Sequence, residues 1–324
     1  MGKFILKRLL WLVPVILGVT LFVFTIMYIT PGDPVRLMLG ANATEEVIQE
    51  TREELGLNDP FLVRFLKYCN DVFLHGDFGK SYQTKQAVTD QILARFPYTL
   101  KVALISVALA TLIGIPIGVL AATHQYSWLD NLSMFGSLFC VSMPSFWFAL
   151  ILVMIFCQKL GILPPGGIES WQCYILPCVS CALGGAAGIA RQTRSSMLEV
   201  IRQDYITTAR AKGQKEFKVI YSHALKNALI PIIQTVGNMI GGSLGGALIA
   251  ETIFSIPGMG VYMMNGISQR DYPVVQGGVI FIAICFCLCM LLVDIVFAFV
   301  DPRIKSQYAA PKKAPKKEKE EADK

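Results

Sequence analysis

The chain has 324 residues, of which 54% are hydrophobic and only 16% charged, with a net charge of +6 and a mean hydropathy of +0.53. Those values exclude an ordinary soluble domain, because the apolar residues gather in runs long enough to cross lipid. The positive balance lies in the termini and one loop, and gives no sign of nucleic-acid binding.

Leu9 to Ile29 carries no charge, and as a helix it rises roughly 30 Å, the thickness of a hydrocarbon core. Lys3, Lys7 and Arg8 look like the start of a signal peptide. The apolar part is too long for one, and no small-x-small cleavage pattern precedes Thr30, so a retained anchor is expected.

Segment 30–97 is too long for a plain connection and is expected to form a small external subdomain. Thr44 is placed to cap a helix that opens with Glu45 and Glu46. Phe61, Phe65, Tyr68 and Val72 form a second apolar stripe at helical spacing. Gly79-Lys-Ser81 resembles the end of a phosphate-binding loop, but the glycine required five residues earlier is Leu74. No nucleotide site is expected in this chain.

Five further spans are predicted near 98–122, 132–157, 174–190, 229–253 and 277–300, six in all. With an even number both termini share a side. Most Lys and Arg residues fall in the N-terminus, the 191–228 loop and the C-terminal tail, so these are expected to be cytoplasmic. The tail 304–324, rich in Lys, Glu and Pro, is expected to be disordered.

Most cysteines lie in apolar spans, where they behave as small hydrophobes. Cys178 and Cys181 have CxxC spacing without a second pair or a nearby His, so no metal site is expected. Cys69 and Cys173 fall outside the spans, with nothing to say whether they are bridged.

The 191–228 loop reads as two helices. The first ends at Lys212, and Gly213 suits the left-handed position after it. In the second, Phe217, Ile220, Tyr221, Ala224, Leu225 and Ala228 form one apolar stripe, with Lys215, Lys218 and Lys226 on another face. The loop reads either as a docking surface for a cytosolic partner or as an interfacial helix held by anionic lipid.

In the fifth span Gly237, Gly241 and Gly245 share one face, which suits close helix packing inside the chain or at a subunit interface. Gly241-Gly-Ser-Leu-Gly245 matches a nucleophile pattern, yet His75, His124 and His223 all lie outside the spans, so no base is at hand. Ionisable residues in the spans are few, Glu251 and Asp294, which weighs against an ion-coupled secondary transporter. Glu251 and Asp271 flank the loop after span five. They could contact a peptide's amino terminus or a binding protein, or be structurally paired.

The stretch Asp204-Tyr-Ile-Thr-Thr-Ala-Arg-Ala-Lys-Gly213, with His223-Ala-Leu-Lys-Asn-Ala-Leu-Ile-Pro231, resembles the cytoplasmic loop of type I ATP-binding-cassette importer permeases, dipeptide/oligopeptide/nickel branch. Against the wider pattern, Ala209, Gly213 and Leu225 match strictly, while the proline comes late, at Pro231. Pro144-Ser-Phe-Trp147, Leu160-Gly-Ile-Leu-Pro-Pro-Gly166, Glu251-Thr-Ile-Phe-Ser-Ile-Pro-Gly-Met-Gly260, Arg270-Asp-Tyr-Pro-Val-Val-Gln276 and Asp301-Pro-Arg-Ile304 fit the same branch in the same order.

The resemblance implies an all-α membrane fold with six transmembrane helices in the inner membrane of a prokaryote. It implies a second homologous permease, two cytosolic ATPase subunits that bind ATP and Mg, and an extracytoplasmic substrate-binding protein. The chain itself would be no enzyme and bind no cofactor. Asp204, Tyr205, Ala209, Arg210, Ala211, Lys212, Gly213 and Leu225 would form the ATPase-coupling loop. Peptide is the expected cargo, with nickel chelates or another small solute as the alternative.

Overall fold

The computed structural model describes residues 2–30, 32–40 and 43–300. Helix α1 (Gly2–Ile29) is the first span, and its surface is studded with exposed Leu10, Trp11 and Phe22, as befits a lipid-facing helix. Three short helices follow, α2 (Pro34–Leu39), α3 (Glu45–Glu54) and α4 (Phe61–His75). Asp33 caps α2 by accepting from Val35 N at 3.1 Å, with Pro34 at the first helical position. Thr44 holds the N-cap position of α3, but its hydroxyl makes no capping bond, contrary to expectation.

The stripe on α4 packs as its spacing predicts. Phe61 and Phe65 lie edge-on to Phe24 of α1, with centroids 5.4 and 5.6 Å away, and Tyr68 sits 5.7 Å from the same ring. Aromatic contacts thus fasten α4 to the C-terminal half of α1.

Helix α5 (Val88–Thr123) begins ten residues before the predicted span, running through Pro97. It packs along α8 (Ile175–Ile201), and the backbones approach closely because Gly114 and Gly118 face Ile189 and Thr193 of α8. A Cβ at Gly118 would meet the Ala190 carbonyl and the Thr193 side chain. Tight packing of small residues is what holds helices together in lipid.

The third predicted span is broken. Helices α6 (Trp128–Ser142) and α7 (Ser145–Leu152), the latter extended by a π-helix at Val153–Lys159, meet at an angle of 98° around Met143 and Pro144. Proline denies α7 the amide that would continue the ladder. Among the described residues five helices are long and apolar enough to cross a membrane, and the bent pair makes a sixth span if counted as one. A 3₁₀ turn at Trp171–Tyr174 leads into α8.

Helix α8 continues to Ile201, so Arg191 and Arg194 extend the same helix that carries the fourth predicted span. Arg194 grips Asp130 at the start of α6 through two bonds of 2.5 and 2.7 Å, and Asp130 is 1% exposed. After α9 (Asp204–Ala211) the chain enters α10 (Glu216–Lys218), a π-helix (Val219–Ala224) and α11 (Leu225–Gly246). Helices α12 (Leu248–Ile253), α13 (Met259–Ser268) and α14 (Tyr272–Val300) complete the bundle. The tail 304–324 lies outside the described residues. Cys69 and Cys173 both carry free thiols.

Candidate functional site

The turn between α9 and α10 is built around Gly213. Its φ of +73° suits glycine, and a Cβ there would meet no other atom, so only backbone strain opposes a larger residue. Gly213 N donates to Arg210 O at 2.9 Å and Gln214 N to Ala209 O at 3.4 Å, the paired pattern of a Schellman cap. Arg210 and Glu216 then clasp across the turn, with Nη2 to Oε1 at 2.7 Å and Nε to Oε2 at 3.2 Å. That carboxylate holds the Arg210 guanidinium above its ordinary value.

One face of this helical pair is committed inward. Ile206 and Ala209 of α9 pack with Val219, Ile220, Ala224 and Ala228 against Met197, Val119 and Ala122. Leu225 is half-buried against the same cluster. Ala209 and Leu225, both named by the motif, thus help seat the loop on its own bundle. The stripe expected from Phe217 to Ala228 is corrected at Phe217 and Tyr221, which are exposed. The π-helix at 219–224 inserts an extra residue per turn, so Val219 joins the buried set while Phe217 and Tyr221 swing outward.

What remains outside is an aromatic and polar face. Phe217 is 74% exposed and stacks obliquely on Tyr221 at 4.5 Å between centroids. Tyr205 is exposed on α9, and its hydroxyl accepts from Asn227 Nδ2 at 3.1 Å. Asp204, Arg210, Ala211 and Lys212 are exposed around it. His223 and Gln214 pair at 2.7 Å, bracing the far side of the turn. The exposure of Phe217 and Tyr221 was not legible beforehand, although two aromatics four apart among lysines are its visible trace.

At the other end of the bundle the two acids are internal. Glu251 is 0% exposed, accepting from Thr99 Oγ1 at 2.6 Å and from Val261 N at 3.1 Å. Asp271 is 2% exposed, accepting from Ser81 Oγ at 2.5 Å and Tyr82 N at 3.0 Å. Both carboxylates are thus buried and hydrogen-bonded to neighbouring groups of the same chain. Burial also pushes the nearby Tyr82 phenol up to about 12.

Between these ends lies a cavity of about 590 Å³ bounded by α5, α6, α7, α8, α11 and α12. Ser106, Ser145, Ser180 and Ser243 give it hydroxyls, Cys140, Cys181, Met143 and Met239 give it sulfur, and no lining side chain among the described residues is charged. Gly242 lies on its wall. Gly237 and Gly241 face α14 instead, against Val293 and Phe286, while Gly245 faces open space. The glycine face of span five thus serves internal packing over two of its three positions.

A bundle of apolar helices, a bent span, an uncharged internal cavity and a loop seated on one end define a polytopic membrane transport subunit. The chain belongs to the family described as "Binding-protein-dependent transport system inner membrane component", matched over residues 114–306, with the family's N-terminal region matched over 1–103. It is 41% identical to the dipeptide transport system permease protein DppB of Alkalihalophilus pseudofirmus, over 94% of this chain and 100% of that one. Identity is likewise 41% to the oligopeptide transport system permease protein AppB of Bacillus subtilis, over 94% and 100%. The glutathione transport system permease protein GsiC of Salmonella paratyphi A is 40% identical over 94% and 99%. The fold is similar to a chain of the inward-facing MetNI methionine ABC transporter, at 18% identity and a TM-score of 0.55, over 65% of this chain and 96% of that one.

Proposed function

We propose that this chain is the membrane half of an ATP-driven peptide importer, in which the α9–α10 turn is the docking surface for a cytosolic ATPase. The observation that carries the reading is the exposed Phe217–Tyr221 pair beside the Gly213 turn, on a loop whose opposite face is buried in its own bundle. Large exposed aromatics on a rigid support are the usual anchors of a protein interface. The Arg210–Glu216 clasp and the Schellman cap hold that surface so that a push on it moves α8 and α11 together.

In this reading the loop and both termini face the cytoplasm, and the α2–α4 subdomain meets an extracytoplasmic binding protein. A second permease closes the other half of the cavity. ATP and Mg are bound by two ATPase subunits, and this chain does no hydrolysis. The peptide relatives support peptide as cargo, and the uncharged cavity suits substrates whose side chains vary in charge.

Reconstitution tests the assignment. Liposomes bearing the chain alone are expected to take up no peptide and hydrolyse no ATP, and to gain both with the second permease, the ATPases and the binding protein. Uptake by the lone chain driven by a proton gradient would replace this reading with a secondary transporter.

A further inference from the structure

A groove of about 800 Å³ runs along the α5–α8 pair and shares no lining residue with the cavity. Its rim is polar and aromatic. Lys101 is exposed, with its ammonium 5.8 Å from the Tyr98 ring centroid and 6.0 Å from that of Tyr174. Glu169, also exposed, stands on the same rim, where its carboxylate accepts from the neighbouring Ile168 N at 3.2 Å and from no other group among the described residues. Trp171, 74% exposed, completes the rim.

Deeper in, the lining turns apolar. Ile105 and Leu109 follow Lys101 at successive turns of α5, faced by Ile175 and Val179 of α8. From Lys101 to Leu109 the groove descends roughly 12 Å along the helix. Tyr and Trp at the rim mark the level where a span leaves hydrocarbon for headgroups, so the groove grades from charged to greasy in the same sense as a lipid leaflet.

The two rim charges are opposite in sign, and no ion pair joins them among the described residues. Each therefore has capacity for a separate charge on one ligand. A zwitterionic phospholipid with a primary ammonium, phosphatidylethanolamine, presents both: a phosphate for Lys101 and an ammonium for Glu169. Its acyl chain would lie against Ile105, Leu109, Ile175 and Val179. A phosphatidylglycerol lacks the cation, and the trimethylammonium of phosphatidylcholine has no N–H to donate. We infer that the α5–α8 groove is a binding site selective for phosphatidylethanolamine, held at its headgroup by Lys101 and Glu169.

The test is native mass spectrometry of the full chain equilibrated with equal amounts of phosphatidylethanolamine, phosphatidylglycerol and phosphatidylcholine. The wild type is expected to retain phosphatidylethanolamine about threefold over the others, the scale of one exposed charge pair. Lys101→Gln is expected to lower that retention, and Glu169→Gln to level phosphatidylethanolamine with phosphatidylglycerol. Both residues are exposed, so both variants should fold. Equal retention of the three lipids by the wild type overturns the proposal, as does Lys101→Gln binding like the wild type. Repeating the measurement on the complex with its partner subunits supplies a further arm. Lipid that stays supports the site, and lipid expelled on assembly overturns it by making the groove a subunit interface.

Discussion

Thr99 on α5 donates its hydroxyl to Glu251 on α12 at 2.6 Å, across 152 residues of sequence. The same hydroxyl oxygen accepts from Met259 N at 2.8 Å, so one threonine joins a spanning helix to both flanks of the loop after α12. Gly258 and Gly260 lie directly on the carboxylate and leave it no room for a neighbouring Cβ. The loop is thereby locked to the bundle by a buried acid.

Thr99→Val keeps the shape of that side chain and removes its hydroxyl, leaving Glu251 Oε1 and Met259 N without a partner. The expected cost is about 1–3 kcal/mol, read as a lowered melting temperature in detergent. An unchanged melting curve would show that the loop is held by packing alone.

Asp130→Ala should be more damaging, because it strands Arg194 against the start of α6. Removing one member of such a pair costs about 3 kcal/mol or more, whereas replacing both Asp130 and Arg194 with apolar residues should recover much of it. A double-mutant cycle on thermal unfolding measures the difference.

Phe217→Ala with Tyr221→Ala is expected to leave stability within about 0.5 kcal/mol of wild type, since both rings are exposed. The same pair should reduce co-purification of the ATPase subunit about tenfold or more, as loss of aromatic anchors does. Glutamine at Lys215, Lys218 and Lys226 should have little effect on it. The reverse ranking would make the loop a lipid anchor and remove the docking assignment.

Gly213→Val carries backbone strain of about 1 kcal/mol or more without any steric clash. The chain should insert normally and show hydrolysis uncoupled from transport in the assembled importer. Gly213→Asn, which tolerates a positive φ, should be milder. Full coupling in Gly213→Val would mean that the turn transmits nothing.

Much of this architecture was legible in the sequence. Long uncharged runs marked α1 and α14, the Phe61–Val72 stripe announced the seat of α4, and Gly213 marked the end of α9. Helix ends were less legible: α8 runs on past the predicted span through Arg191 and Arg194, where Asp130, far away in sequence, pairs with Arg194. The bend at Met143–Pro144 lay in a motif noticed for its family likeness, not for its missing amide. Ala209 and Leu225 carry the loop motif, but their packing against the bundle was not legible, since a motif does not say which way its residues face. The π-helix turned Phe217 and Tyr221 outward in a way no regular period anticipates.

The uncharged wall of the cavity has an electrical consequence. Membrane voltage does work only on charge that moves through its field, about 2.3 kcal/mol per elementary charge per 100 mV. Among the described residues that lining carries no charged side chain, so movement of these walls adds no charge displacement of its own. Beside this wall the field acts on the charge of the cargo, so a neutral zwitterion should depend less on polarisation than a cationic one.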